Sequence, residues 1–184
     1  MQNVKSPYER WRKPLWLGVL VAASVAFSTG FACVTPFAAF AAIAALTLAP
    51  RDGLVLVGAV WLANQAVGYL FLGYPWTADS LAWGAAIGVA SVIALAASRP
   101  AARATASAGP VSVVAAALLV GFAVFETALL AATAVLGGGE NFAPAIVAQL
   151  FAVNVAAFAG LLLLDRIGAA AGIAVRRGIS LRRA

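Results

Sequence analysis

Five polar side chains fall inside long apolar runs of this sequence and could bind a ligand. Glu126 lies in the run 111–136, and two other runs contain the carboxamides Asn64, Gln65, Gln149 and Asn154. An ionisable side chain in the middle of a membrane helix costs at least about 2.5–3.5 kcal/mol. Helical rise places all four carboxamides within about 10 Å of the depth of Glu126. We therefore expect these side chains to line one binding site.

Two interpretations of this polar group remain open. Glu126 could bind a cation, a proton or a polar group of a ligand, or it could be a protonated acid hydrogen-bonded to a neighbouring helix. Asn and Gln in membrane helices also join helices to one another, at about 0.6 kcal/mol each. Trp61 lies one turn before Gln65. Its ring could line a site for a flat organic ligand, or it could be buried with its N–H donated to a carbonyl.

The residue types that are rare or absent argue against catalysis. The sequence has no histidine, one cysteine and six carboxylates. Histidine is the commonest ligand of zinc and haem and the usual base of nucleophilic triads. Cys33, without a second cysteine or a histidine, is a poor basis for a thiolate metal site. We therefore expect no enzyme activity, no cofactor and no metal site.

The composition places these side chains in a membrane. Of the 184 residues, 64% are apolar and 10% are charged, whereas soluble domains contain roughly 25% charged residues. The net charge of +6 comes from basic residues in positions that set membrane topology, so it does not indicate nucleic-acid binding. We expect an all-α integral membrane protein surrounded by the lipid bilayer.

The apolar runs predict six membrane spans. Four runs, at 53–72, 80–98, 111–136 and 142–164, are each about the length that a spanning helix needs. Dividing 14–50 into two helices puts all twelve basic residues on one side of the membrane, as the positive-inside rule requires. We therefore predict a basic cytoplasmic N-terminus (1–13), a six-helix transmembrane domain (14–165) and a basic cytoplasmic tail (166–184). Both termini are then cytoplasmic.

The first pair of helices is short for two full crossings. The chain must turn near 28–30 or near 33–36, which leaves at least one helix of about 15 residues. A tight turn near the headgroups and a functional break both remain open. We expect the segment 99–109 to be a cytoplasmic loop, while the segments 73–79 and 137–141, which carry acidic but no basic residues, are exterior loops.

The layout resembles a known family. Six short spans, cytoplasmic termini, an aromatic exterior loop and the pair Ala22-xxx-Ala26 together resemble the substrate-binding S components of energy-coupling factor vitamin transporters. The resemblance implies that Ala22 and Ala26 contact a coupling subunit. It also implies a ligand site in the outer half of the bundle, formed by Asn64, Gln65, Tyr74, Trp76, Glu126 and Gln149. The family's loop between helices one and two has almost no counterpart here.

Two functions follow as expectations. The chain is either a transport protein or substrate-binding subunit for a small, vitamin-like nutrient, or a non-catalytic structural or assembly subunit of a larger membrane complex. We expect a bacterial cytoplasmic (inner) membrane, a small-molecule ligand and a partner membrane subunit.

Overall fold

A computed structural model describes residues 7–30 and 35–174, with side chains at 11–27 and 35–174. This part of the chain forms six α-helices and no strand. The helices are α1 (Pro7–Gly30), α2 (Phe37–Thr47), α3 (Pro50–Leu70), α4 (Ala78–Ala104), α5 (Pro110–Leu136) and α6 (Pro144–Ala170). Short 3₁₀ turns at Ala106–Ala108 and Gly139–Phe142 lie in the α4–α5 and α5–α6 connections.

The four helices α3 to α6 are long and apolar enough to cross a membrane. They contain 21, 27, 27 and 27 residues, which corresponds to about 32–40 Å against a hydrocarbon core of about 30 Å. Helix α2 is a shorter apolar helix. The prediction of an all-helical membrane protein is confirmed at this level.

Proline and glycine mark the helix ends. Pro50, Pro110 and Pro144 open α3, α5 and α6, where the missing N–H costs no helical hydrogen bond. Gly137, with φ +76°, follows α5, and Gly109, with φ +94°, precedes it. We call the end with the α3–α4 and α5–α6 connections the upper end, and the end with the α2–α3 and α4–α5 connections the lower end.

Helix α2 fills the centre of the lower half. The predicted division of 14–50 into two helices is found, since the described α1 ends at Gly30 and α2 begins at Phe37, but α2 has only 11 residues and spans about 16 Å. Its residues Phe37 to Leu46 are all buried, and α3, α4, α5 and α6 all pack against it. A helix that is apolar on every face is buried either in a protein core or in a membrane, and α2 is buried by its neighbouring helices.

Small residues allow the other helices to pack closely around α2. The Ser98 hydroxyl of α4 is 2.8 Å from the Ala94 carbonyl oxygen and 2.9 Å from the Ala117 carbonyl oxygen of α5. Gly121 of α5 lies against the same hydroxyl, and a Cβ at that position would overlap it. Helices α4 and α5 are therefore held at a short separation beside α2.

Polar contacts fix α1 at the lower end. Lys13 Nζ lies 2.7 Å from Asp52 Oδ1 at the start of α3. Arg12 Nη2 donates to the Ala174 carbonyl oxygen, at 3.1 Å, just beyond α6. The basic residues with described side chains all occur at this end: Arg12, Lys13, Arg51, Arg99, Arg103 and Arg166.

Some helices extend beyond their predicted limits. Helix α1 begins at Pro7, within the predicted N-terminal segment, and α6 continues to Ala170, past residue 165. The prediction of a loop over 99–109 is wrong in its first part, because α4 continues through Pro100 to Ala104. The alanines around Pro100 are strong helix formers, which offsets the loss of its N–H. Cys33 and the arginine pairs at 176–177 and 182–183 lie outside the described residues.

Candidate functional site

The shortness of α2 leaves the upper half of the bundle without a central helix. A cavity of about 460 Å³ occupies this space above the N-terminus of α2. Thr35 and Phe37 form its floor, and α3 to α6 form its walls. The other lining residues are Asn64, Gln65, Tyr74, Ser80, Trp83, Gly84, Ile87, Phe125, Glu126, Leu129, Asn141, Phe142, Ile146, Leu150 and Asn154.

Glu126 is the one charged residue among the described lining residues. Its side chain is 9% exposed, and it makes no hydrogen bond or ion pair with any described residue. Phe125 and Leu129 also line the cavity, because helical spacing of three and four residues places side chains on one face. The structure gives no interhelical hydrogen bond to support Glu126 as a purely structural acid.

Asn154 joins the cavity wall to α2. Its Oδ1 accepts a hydrogen bond from the Ala39 N–H at 3.0 Å, and its Nδ2 donates to the Leu150 carbonyl oxygen at 2.9 Å. The first turn of a helix leaves backbone N–H groups without helical partners, and this carboxamide caps one of them. Asn154 therefore lines the cavity and also performs the helix-joining role that the sequence left open.

Asn64 and Gln65 form a short polar chain on α3. Asn64 Nδ2 donates to Thr35 Oγ1 at 2.7 Å, and Gln65 Nε2 donates to Asn64 Oδ1 at 3.2 Å. Gln65 Oε1 lies against Gly84 so closely that a Cβ at Gly84 would overlap it. In the described part of the chain this oxygen accepts no hydrogen bond, so it can still accept one from a ligand.

The α3–α4 connection folds back over the cavity. The Tyr74 ring packs on Gly68, where a Cβ would overlap it, and the Tyr74 N–H donates to the Gly68 carbonyl oxygen at 3.0 Å. The Tyr69 ring lies 5.7 Å from that of Tyr74 and 4.5 Å from that of Trp76. Tyr74 lines the cavity, whereas Trp76 is 72% exposed above Tyr69.

The structure brings together five of the eight predicted ligand-binding residues: Asn64, Gln65, Tyr74, Glu126 and Asn154 line one cavity. Trp61, Trp76 and Gln149 lie outside it. Gln149 is exposed on α6, because it lies five positions before Asn154, which turns it by about 140° around the helix. Helical rise therefore predicted how deep Asn154 and Gln149 lie along α6. It did not indicate that Asn154 faces the cavity and Gln149 does not.

Trp61 borders a second, lateral cavity. This apolar groove of about 470 Å³ lies between α3 and α4 and includes Val57, Trp61, Gly88 and Val92. The Trp61 indole N–H donates to the Gly84 carbonyl oxygen at 2.7 Å, and its ring packs against Gly88. The hydrogen bond to a carbonyl is the structural alternative that the sequence allowed for this residue.

Other lining residues were not among the predicted ligand contacts. Ser80, Trp83, Gly84 and Ile87 of α4 line the cavity, and their spacing of three and four residues is a signal that could have identified this face. Asn141 and Phe142 come from the α5–α6 connection, where no periodicity indicates which way a side chain points. Aromatic rings are prominent, and Phe37 stacks on Phe125 at a centroid distance of 6.0 Å.

The predicted partner face of α1 is accessible. Ala22 and Ala26 are exposed, and no atom comes within 4 Å of a Cβ placed on Gly18. The three residues recur every fourth position, so they share one face of the helix. Small residues on an exposed face allow another helix to approach closely.

The cavity can therefore bind an organic molecule through one carboxylate, a free amide oxygen and several aromatic rings. Its volume falls within the 300–1,000 Å³ range that is usual for small-molecule sites. Within the described residues, no group of three or more His, Cys, Asp and Glu side chains could hold a metal ion. Comparisons with protein families, with curated proteins and with solved structures find no match to this chain.

Proposed function

We propose that this chain is a non-catalytic membrane protein that binds a small organic molecule in the upper cavity and takes part in its uptake. The observation that carries the proposal is Glu126, a buried carboxylate that lines the upper cavity without a partner in the described structure. A buried charge without a partner is costly. Such a group is retained in membrane helices where it binds an ion, a proton or a ligand.

We infer six spans, with the upper end facing the exterior. The described basic residues at the lower end support this orientation, as do Asp79 and Glu140 near the upper end. In α1, the stretch 14–30 is uncharged and covers about 26 Å. Helix α2 would belong to the second crossing. The cavity would then open toward the side from which a nutrient arrives.

The resemblance to S components supports a role as the substrate-binding subunit of a bacterial inner-membrane uptake system. In this role the exposed face of Gly18, Ala22 and Ala26 on α1 would contact a partner membrane subunit. That face lies outside the cavity, so ligand and partner would be bound by different parts of the chain. The Tyr74 connection and the Asn141–Phe142 turn would cover the ligand in place of a loop between α1 and α2.

The test is unbiased mass spectrometry of small molecules that copurify with the full chain from its membrane. Two adjacent substitutions distinguish the cavity from the lipid-facing surface. Leu129 lines the cavity, whereas Leu130 is 49% exposed on the outside of α5. We expect a small molecule to copurify with the wild type and with Leu130→Trp, and to be lost from Leu129→Trp because the larger ring occupies its space.

Two outcomes would contradict the proposal. Retention of the same molecules by both variants would show that they bind outside the cavity. A preparation that contains partner membrane proteins but no small molecule would favour the alternative of a structural or assembly subunit. In that case substitution of Ala22 or Ala26 with Leu should release the partner.

A further inference from the structure

The charge distribution of the upper half indicates which class of ligand the cavity accepts. The sequence contains no basic residue between Asp52 and Arg99 or between Arg103 and Arg166, and these stretches supply all the cavity walls. Glu126 lines the cavity, and Asp79 and Glu140 come directly before the lining residues Ser80 and Asn141 in the sequence. Like charges collected at one opening create a potential that attracts the opposite charge.

The protein provides a positively charged partner for Asp52, but none among the described residues for Glu126. At the lower end Asp52 is 7% exposed and is paired with Lys13 at 2.7 Å. At the upper end Glu126 is buried to a similar extent and has no cation within the described structure. A positive charge that enters the cavity would supply the partner that the Glu126 carboxylate lacks.

The aromatic lining favours the same class of ligand. Phe37, Tyr74, Trp83, Phe125 and Phe142 surround the space beside Glu126. The negative face of an aromatic ring attracts an organic cation, and the attraction is stronger where water is excluded. Rings also provide flat apolar surfaces for a planar ligand.

Hydrogen bonding gives a third reason to expect a cationic ligand. Gln65 Oε1 accepts no hydrogen bond from a described residue, so it suits an N–H donor of the ligand. The N-terminus of α2 lies at the floor of the cavity, and a helix N-terminus favours an anion. Two donors of its first turn are already engaged, since the Ala39 N–H donates to Asn154 and the Phe37 N–H donates to the Thr35 carbonyl oxygen.

We propose that the ligand is a small organic cation, in which a protonated amine is attached to a planar or aromatic ring. This inference rests on the proposed function. The amine lies at Glu126, a further N–H donates to Gln65, and the ring packs among Phe37, Trp83 and Phe125. The cavity of about 460 Å³ limits the ligand to one or a few rings.

The test uses probes that differ in charge but share a ring. Two sets are suitable: tryptamine, tryptophol and indole-3-propionate, and phenethylamine, 2-phenylethanol and 3-phenylpropionate. Binding to the purified full chain in detergent is measured by equilibrium dialysis. We expect each amine to bind at least about tenfold more tightly than its alcohol, and the acid to bind weakest, as expected for a close charge pair.

Three variants assign this preference to Glu126. Glu126→Gln should bind amine and alcohol alike, whereas Glu126→Asp should keep a reduced preference for the amine. Glu140→Gln removes an exposed carboxylate next to the lining residue Asn141 and should weaken the preference only slightly, because water and salt screen its charge. Together, the Asp and Gln variants separate the effect of charge from a loss of folding.

The outcomes distinguish the two proposals. Alcohols or acids that bind as tightly as the amines would overturn the proposal that the ligand is a cation, while leaving the proposed function in place. A copurified ligand without a positive charge would do the same. If no probe binds and no small molecule copurifies, the proposed function itself fails and the ligand class fails with it.

Discussion

The two halves of this helix bundle are surrounded by the same four helices, α3 to α6, yet they are filled differently. In the lower half α2 occupies the centre and its residues Phe37 to Leu46 are buried. In the upper half the centre is a cavity of about 460 Å³. The cavity therefore exists because α2 is too short to reach the upper half. Asp52 below has a partner, whereas Glu126 above has none that the structure describes.

The largest difference in stability between the two halves should come from substitutions that add side-chain volume. Ala41 is fully buried in α2, so Ala41→Leu should lower the free energy of unfolding by about 3 kcal/mol through overpacking. Leu129→Trp adds volume beside the cavity and should cost less than about 1 kcal/mol. Thermal unfolding in detergent measures both. Equal losses would mean that the upper half is packed as tightly as the lower.

The contact that joins the two halves should have the next largest effect. Asn154→Ala removes the acceptor of the buried Ala39 N–H, which should cost about 2 kcal/mol because the donor is left without a partner. Gln149→Ala, on the exposed face of the same helix, serves as the control and should change stability by less than about 0.5 kcal/mol. The same unfolding assay compares them, and indistinguishable variants would contradict the capping role.

A smaller effect is expected at the paired carboxylate. Asp52→Asn should destabilise the protein by about 1 kcal/mol, since Lys13 is 46% exposed and water screens the pair. Lys13→Met should cost a similar amount, and the double variant should cost less than the two single losses combined. Additive losses would show that the ion pair contributes nothing to stability.

The smallest effect on stability should come from Glu126 itself. Glu126→Gln removes no contact with a described residue, so the unfolding free energy should stay within about 0.5 kcal/mol of the wild type or rise. Unfolding of the ligand-free protein is the relevant measurement. A loss of stability comparable to that of Asn154→Ala would show that Glu126 holds the fold together. This result would argue against its proposed role as the ligand contact.

Much of the fold could be predicted from local patterns. The apolar runs and their bounding Pro and Gly residues gave α3, α5 and the start of α6 closely, since a membrane requires a fixed helix length. The extension of α4 past Pro100 was missed because proline usually marks a helix boundary. The length of α2 could not be predicted, because uniformly apolar sequence carries no periodicity from which an end can be located.

The sequence predicted how deep the site residues lie along their helices, but only partly which of them face the cavity. Counting residues placed Glu126, Asn64 and Asn154 at one level, and all three line the cavity. Gln149 lies at a similar depth, but it is exposed. In an alanine-rich helix both faces are apolar, so the sequence does not distinguish the interior from the lipid. Contributions from connections, such as Asn141, depend on tertiary folding alone.

The depth of Glu126 also has a consequence for membrane voltage. Ten residues separate it from Leu136 at the upper end of α5, which places it about 15 Å below that end. The helix exceeds the hydrocarbon core by about 10 Å, so Glu126 lies about a third of the way across the core. In the proposed orientation, a cation that reaches Glu126 from the upper side would have crossed that fraction of the field. A potential of 100 mV, negative inside, would strengthen its binding by about fourfold.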